Sequence, residues 1–175
     1  MKGLPMLSFP PVTHQGRVSA QDRIEAIDLV NRINWLFEVW DVDAMVESFL
    51  PDAAAIHFDG SFRGHEEIRA FFEEQYRYLI PGVTRLAINH IVDDDGPDGV
   101  AVRYNMLLVR YAFPDTEPGV PLEEAIVNSM YEVPAIWLYS PMLDRLRRTD
   151  NGWRVFERYL GPSVFNQRLS PPQIQ

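Results

Sequence analysis

Residues 143–159, Leu-Asp-Arg-Leu-Arg-Arg-Thr-Asp-Asn-Gly-Trp-Arg-Val-Phe-Glu-Arg-Tyr, read as two extended runs joined by a tight turn. Asn151-Gly152 tolerates the positive φ that a two-residue hairpin demands, so Leu143 to Thr149 should return as Trp153 to Tyr159. Working upstream, Val83 to Val92, Val100 to Phe113, Glu124 to Leu138 and Met142 to Tyr159 are rich in β-branched and aromatic residues. Asp95-Gly96-Pro97 supplies a further turn, and Pro114 to Pro121 a long connection between strands. The first half has a different period. Ser19, with Asp22 three positions on, forms a helix entry, and Ala20 to about Trp40 contains no Gly or Pro. Ala26, Leu29, Val30, Ile33, Phe37 and Trp40 share one face of that helix. Asp43 to Leu50 reads as a second helix, capped by Asp41 or Asp43 and stopped by Pro51. Ala53 to Phe58 is extended, and Glu66 to Leu79 is a third helix ending before Pro81-Gly82. Helices gathered early and antiparallel strands gathered late predict an α+β domain with one sheet face covered by helices. Residues 1–19 form an irregular arm, 20–160 the domain and 161–175 an irregular tail.

A chain of 175 residues with 46% hydrophobic content buries enough apolar surface to fold as one domain. The net charge of −9, with basic residues scattered, argues against nucleic acid and anionic membrane as partners. No apolar run approaches the roughly 20 residues needed to cross a bilayer, and Met1 to Pro11 is too broken by proline to be a secretory signal. The absence of cysteine excludes disulfides and thiolate chemistry and fits a cytoplasmic location. Lys2 is the only lysine, so Schiff-base chemistry is improbable. No HExxH helix, Gly-rich phosphate loop or GxSxG elbow is present, so neither a metal nor a cofactor is expected.

Several passages together resemble one family. Trp40-Asp41-Val42-Asp43-Ala44 ahead of Phe49-Leu50-Pro51-Asp52-Ala53 is similar to a passage of SnoaL-like proteins, in the nuclear-transport-factor-2-like superfamily. Arg63-Gly64-His65-Glu66-Glu67-Ile68 resembles their following helix start, and Asp144 to Val155 their closing hairpin, with Trp153 as its structural anchor. The resemblance implies a cone-shaped curved antiparallel sheet with three N-terminal helices packed on its concave face, the cystatin-like α+β barrel. Such proteins commonly dimerise through the exposed sheet face. Their chemistry varies widely, from dehydratases, isomerases and cyclases to non-catalytic members.

Within that frame His90 stands out, because alternation groups it with Leu86, Ile88 and Val92 on the apolar side of its strand. A buried imidazole suits proton transfer near neutral pH. Resemblance to dehydratases such as scytalone dehydratase implies a partner acid on the first helix, a role that falls to Glu38. His57 falls where ketosteroid isomerase relatives carry their carboxylate base, although alternation with Ile56 and Phe58 turns it outward if those two face the core. Asn34 could bond a substrate oxygen. Tyr104 could donate to a developing oxyanion, while Trp35 and Trp137, with Tyr139 and Met142, could wall a site for a flat apolar ligand. Each residue also has a plainer reading, as a core imidazole, a solvated helix flank or a packing aromatic.

The expected function is a cofactor-free lyase or isomerase performing dehydratase-like proton transfer on a small cyclic, steroid-like or polyketide-like substrate in an apolar pocket. A homodimer or higher homo-oligomer is expected. The alternative is a non-catalytic ligand-binding or assembly subunit of the same fold, such as a ring-hydroxylating dioxygenase β-like protein.

Overall fold

The computed structural model describes residues 9–10, 18–58, 60–113 and 133–170. The predicted helix entry forms as a closed capping pair: the Asp22 backbone N–H donates to Ser19 Oγ at 3.0 Å, and the Ser19 hydroxyl donates to Asp22 Oδ2 at 2.8 Å. Helix α1, Ala20–Val39, ends where Trp40 turns left-handed at φ 57° and its N–H caps Leu36 and Phe37. Helix α2, Val42–Glu47, is capped by Asp41, whose Oδ1 accepts from the Ala44 N–H at 3.0 Å. It is shorter than expected because Phe49 and Leu50 already belong to strand β1, Phe49–His57. Strand β2, Gly60–Arg63, folds back on β1, and α3, Gly64–Gln75, tightens into a 3₁₀ turn at Tyr76–Tyr78.

Four long strands follow: β3, Val83–Asp94; β4, Gly99–Arg110; β5, Ala135–Thr149; and β6, Gly152–Leu160. A short β7, Val164–Phe165, pairs with β5. The sheet order is β2-β1-β6-β5-β4-β3, and the sheet does not close. Every ladder is antiparallel except β1 with β6, which is parallel, so the architecture is the expected α+β with a mixed sheet. The expected hairpin forms but is one residue tighter: it closes at Thr149↔Gly152, so Asp150-Asn151 are the turn and Gly152, the first residue of β6, alone takes a positive φ, 89°.

Proline and bulges set the details. The separate strands expected at Glu124 to Leu138 and from Met142 join, within the described residues, into one β5; residues 124–132 lie outside that description. Pro141 opposes Asn105 of β4 but turns its carbonyl the other way, to the Gly161 N–H at 2.8 Å, so the donor it lacks would face the gap where β6 pairs only from Met142↔Leu160 and β7 only up to Tyr139↔Val164. Gly161 covers this junction, where an added Cβ would lie 2.7 Å from Pro141 Cγ and 2.9 Å from Phe9 Cζ. On β3, Asn89 at φ 59° marks a bulge between the pairs Ile88↔Asn105 and Ile91↔Arg103.

The concave face carries the core. Ala26, Val30, Ile33 and Phe37 of α1 and Ile68, Phe71 and Phe72 of α3 are buried with Val102, Met106, Trp137 and Leu146 of the sheet. The stretch beyond Gly161, read from sequence as irregular, turns back onto this core. Leu169 is buried, Arg110 Nε donates to its carbonyl at 2.7 Å, and Trp137 Nε1 donates to Ser170 Oγ at 3.2 Å. Arg110 also donates to Pro81 O and Ala112 O, and its guanidinium lies 4.8 Å from the Trp137 ring. Burial brings the Arg110 pKa down to about 10. Among the described residues no helix is long and apolar enough to cross a membrane.

Candidate functional site

A cavity of about 410 Å³ opens between α3, the concave sheet face and the returning C-terminal segment. Strand β1 ends in it with His57, and β3 enters it with Arg85, although β6, β5 and β4 separate those two strands in the sheet order. The sheet must therefore curl around the space. A register shift between Leu108 and Val109 brings consecutive residues of β5, Trp137 and Leu138, onto the wall together. Phe58, Phe71, Leu79, Met106, Leu160 and Phe165 complete an apolar lining, and Gln75, Tyr76, Gln167 and Ser170 supply polar groups. The size and the few polar groups on a greasy wall are those of a small-molecule site. Among the described residues no cluster of His, Asp or Glu could hold a metal ion.

Two buried arginines meet near this wall, in different states. Arg158 on β6 donates from Nε and Nη2 to Asp144 at 2.8 and 2.6 Å, a bidentate pair in which Asp144 is 0% exposed. Tyr104 adds its hydroxyl to Asp144 Oδ2 at 3.0 Å. Burial pulls the Arg158 pKa down, but Asp144 more than offsets it and the net shift is upward; burial raises the Tyr104 hydroxyl. Arg85, 9% exposed, has no such counter-ion among the described residues. Its Nε reaches Asn34 Oδ1 at 3.3 Å, and its guanidinium lies 4.4 Å from the Phe37 ring and 5.4 Å from the Tyr76 ring. Burial lowers its pKa.

The sequence-derived candidates fall in different places. His57 lines the cavity, its ring 5.3 Å from Phe71 and 3.9 Å from Phe58. It shares its side of β1 with the core residues Ala53 and Ala55, so the alternation that turned it outward is corrected. Trp137 also lines the cavity. His90 faces inward, stacked 5.6 Å from Tyr104, but not through simple alternation: Leu86 and Ile88 are exposed, and the Asn89 bulge swaps the faces so that His90 and Val92 follow Arg85 and Ala87. Glu38 is not across from it. Its Oε1 accepts from Thr84 Oγ1 at 2.8 Å and from the Arg85 backbone N–H at 2.9 Å, pinning α1 to β3. Asn34 is buried, with Nδ2 donating to Val30 O, and Tyr104 is committed to Asp144. Trp35 is 62% exposed on the outer side of α1, and Tyr139 is 41% exposed on the outer sheet face, so neither walls the cavity. Met142 is core.

Reasoning from sequence missed Arg85, Gln75 and Tyr76 as cavity residues, and the Asp144–Arg158 pair. The spacing of Val83, Arg85 and Ala87 on one side of β3 was the available signal.

Burial lowers the His90 pKa, with the charge of Asp144 opposing, and its Nε2 has no hydrogen-bond partner among the described residues. The native state then holds this ring neutral where the unfolded chain, near pH 6.5, takes up a proton. Native stability therefore falls as pH drops below the unfolded value. Urea titrations at pH 7.5 and 5.5 should show a smaller loss on acidification for His90→Phe than for the parent. Equal losses would remove His90 as a source of acid sensitivity.

A SnoaL-like domain profile matches residues 18–159. The fold is similar to an NTF2-like protein with a cystatin-like fold from Novosphingobium aromaticivorans, at 22% identity and TM-score 0.60, covering 80% of each chain. It is also similar to a putative aromatic ring hydroxylase from the same organism, at 16% identity and TM-score 0.63, covering 88% of this chain and 100% of that one. Aln2 from a Streptomyces species aligns at 14% identity and TM-score 0.64, over 82% and 92% of the two chains. No curated protein matches the chain in sequence.

Proposed function

The chain belongs to the SnoaL-like domain family, and from that premise we propose that it is a cofactor-free lyase or isomerase acting by proton transfer on a small cyclic, steroid-like or polyketide-like substrate. The observation that carries this reading is His57 in the wall of an apolar cavity, among the described residues the one lining side chain of a type that titrates near neutrality. Neutral His57 removes a proton from carbon next to a carbonyl. The C–H electron pair becomes the enolate double bond, and the carbonyl π pair moves onto oxygen. Tyr76, half-buried in the lining, offers an O–H donor to that oxygen, and Gln75 an N–H donor from the exposed rim. The imidazolium returns its proton to another carbon in isomerisation, or to a departing hydroxyl in dehydration. Trp137 serves as a flat wall, while Glu38, Asn34 and Tyr104 hold β3 and the buried arginines in place.

The test is hydrogen–deuterium exchange at the α-carbons of 1-indanone and 2-tetralone in D₂O, followed by proton NMR. The parent should exchange them above the buffer rate and His57→Gln should not. Equal rates in the two proteins reject the reading, and a ketone bound without exchange favours the non-catalytic alternative.

The same reading takes the protein as a homodimer. Leu86, Ile88, Ile136 and Tyr139 are 41%, 38%, 53% and 41% exposed on the outer face of β3 and β5. Light scattering should give a dimer mass for the parent and a monomer mass for Ile88→Glu. An unchanged mass would rule this face out.

A further inference from the structure

We propose that the cavity takes a flat apolar ligand bearing a carboxylate, and that the terminal nitrogens of Arg85 bind that carboxylate. Arg85 is 9% exposed and lines the cavity. Only its Nε is used, by Asn34 Oδ1, and among the described residues neither terminal nitrogen has an acceptor. These nitrogens are not among the fully enclosed, unpartnered side-chain atoms of the described residues, so they reach the open space of the cavity, where an acceptor that enters can take their N–H groups.

Arg158 differs from Arg85 in its partner. Both guanidiniums are buried and each lies over aromatic rings, Arg158 over Phe49 and Arg85 over Phe37 and Tyr76. Arg158 is neutralised by Asp144, so the pair contributes no net charge, whereas Arg85 leaves one positive charge at the cavity wall. Glu38 does not fill the role: its Oε1 is taken by Thr84 and by the backbone N–H of Arg85, and among the described residues its carboxylate makes no hydrogen bond to the guanidinium. The end of a guanidinium that presents both terminal nitrogens matches the two oxygens of a carboxylate. The Phe37 and Tyr76 rings against Arg85 restrict its side chain, so less ordering remains to be done on binding.

This inference rests on the cavity being the ligand site, as in the proton-transfer reading, but not on His57 chemistry. The experiment is calorimetric titration at pH 7.5 with 2-naphthoate and with its neutral counterpart 2-naphthamide, on the parent and on Arg85→Gln, Arg85→Lys and His57→Gln. The parent should bind the carboxylate about tenfold or more tightly than the amide. Arg85→Gln should lose that preference, Arg85→Lys should keep part of it, and His57→Gln should keep all of it. Equal affinities in the parent, a preference surviving in Arg85→Gln, or no binding of either probe would overturn the proposal. A preference abolished by Arg85→Gln alongside unchanged ketone exchange in His57→Gln would uphold the ligand class and reject the catalytic role of His57.

Discussion

Replacing His57 by glutamine is expected to slow α-carbon exchange of a cyclic ketone by roughly 10²–10⁴, the range that positioned general acid–base groups contribute. Glutamine has similar bulk and can hydrogen-bond, but its amide cannot cycle a proton near pH 7. If the ring instead serves only to pack between Phe58 and Phe71, at 3.9 and 5.3 Å, then His57→Phe should restore whatever glutamine loses. The proton-transfer reading requires the opposite: the phenylalanine variant stays as slow as glutamine while its melting temperature stays close to that of the parent. KM should move little, because the apolar wall that binds the rings is intact.

The helices were legible in the sequence because their signals are local. Ser19 with Asp22, and Asp41 ahead of α2, form caps within one turn of chain, and the caps are present as read. The closing hairpin was legible for the same reason. What sequence pattern could not supply was long-range. The parallel pairing of β1 with β6 joins residues about a hundred positions apart, for example Ile56 with Tyr159, and no local period encodes it. Strict alternation failed on β3 because a single residue at positive φ, Asn89, shifts the phase: the Leu86 and Ile88 assigned to the core lie outside, while His90 faces inward through the bulge. On β1 the rule failed at the strand end, where His57 and its neighbour Phe58 both reach the cavity. The expected meeting of Glu38 with His90 came from resemblance, and here the carboxylate is used to fasten α1 to Thr84 and the Arg85 backbone. Arg85 was passed over because an arginine on a strand is ordinarily solvated. Its burial depends on Phe37 and Tyr76, from two helical segments that its own strand does not foretell.

Removing the carboxylate of Asp144 should be the most damaging single change to the fold. Asp144 is wholly buried and accepts three hydrogen bonds, two from Arg158 and one from Tyr104. In Asp144→Ala the Arg158 guanidinium, only 8% exposed and lying over Phe49, keeps its charge without a counter-ion, and the Tyr104 hydroxyl loses its acceptor. Breaking a buried pair in this way costs about 3–5 kcal/mol, a large share of the ~5–15 kcal/mol that holds a typical domain. Urea denaturation should record that loss. The cost belongs to the stranded charge and not to the pair as such, so Asp144→Leu combined with Arg158→Met should recover most of it, since apolar replacement of a whole buried pair is often close to neutral. The single Arg158→Met change should fall between, leaving an unpaired carboxylate still hydrogen-bonded to Tyr104. A double variant as unstable as Asp144→Ala would show instead that the pair's geometry, and not its charge balance, holds β5 to β6. The double variant also isolates Arg85: with the neutral pair gone and Arg85 intact, the positive charge at the cavity wall is unchanged, and the preference for a carboxylate ligand should survive.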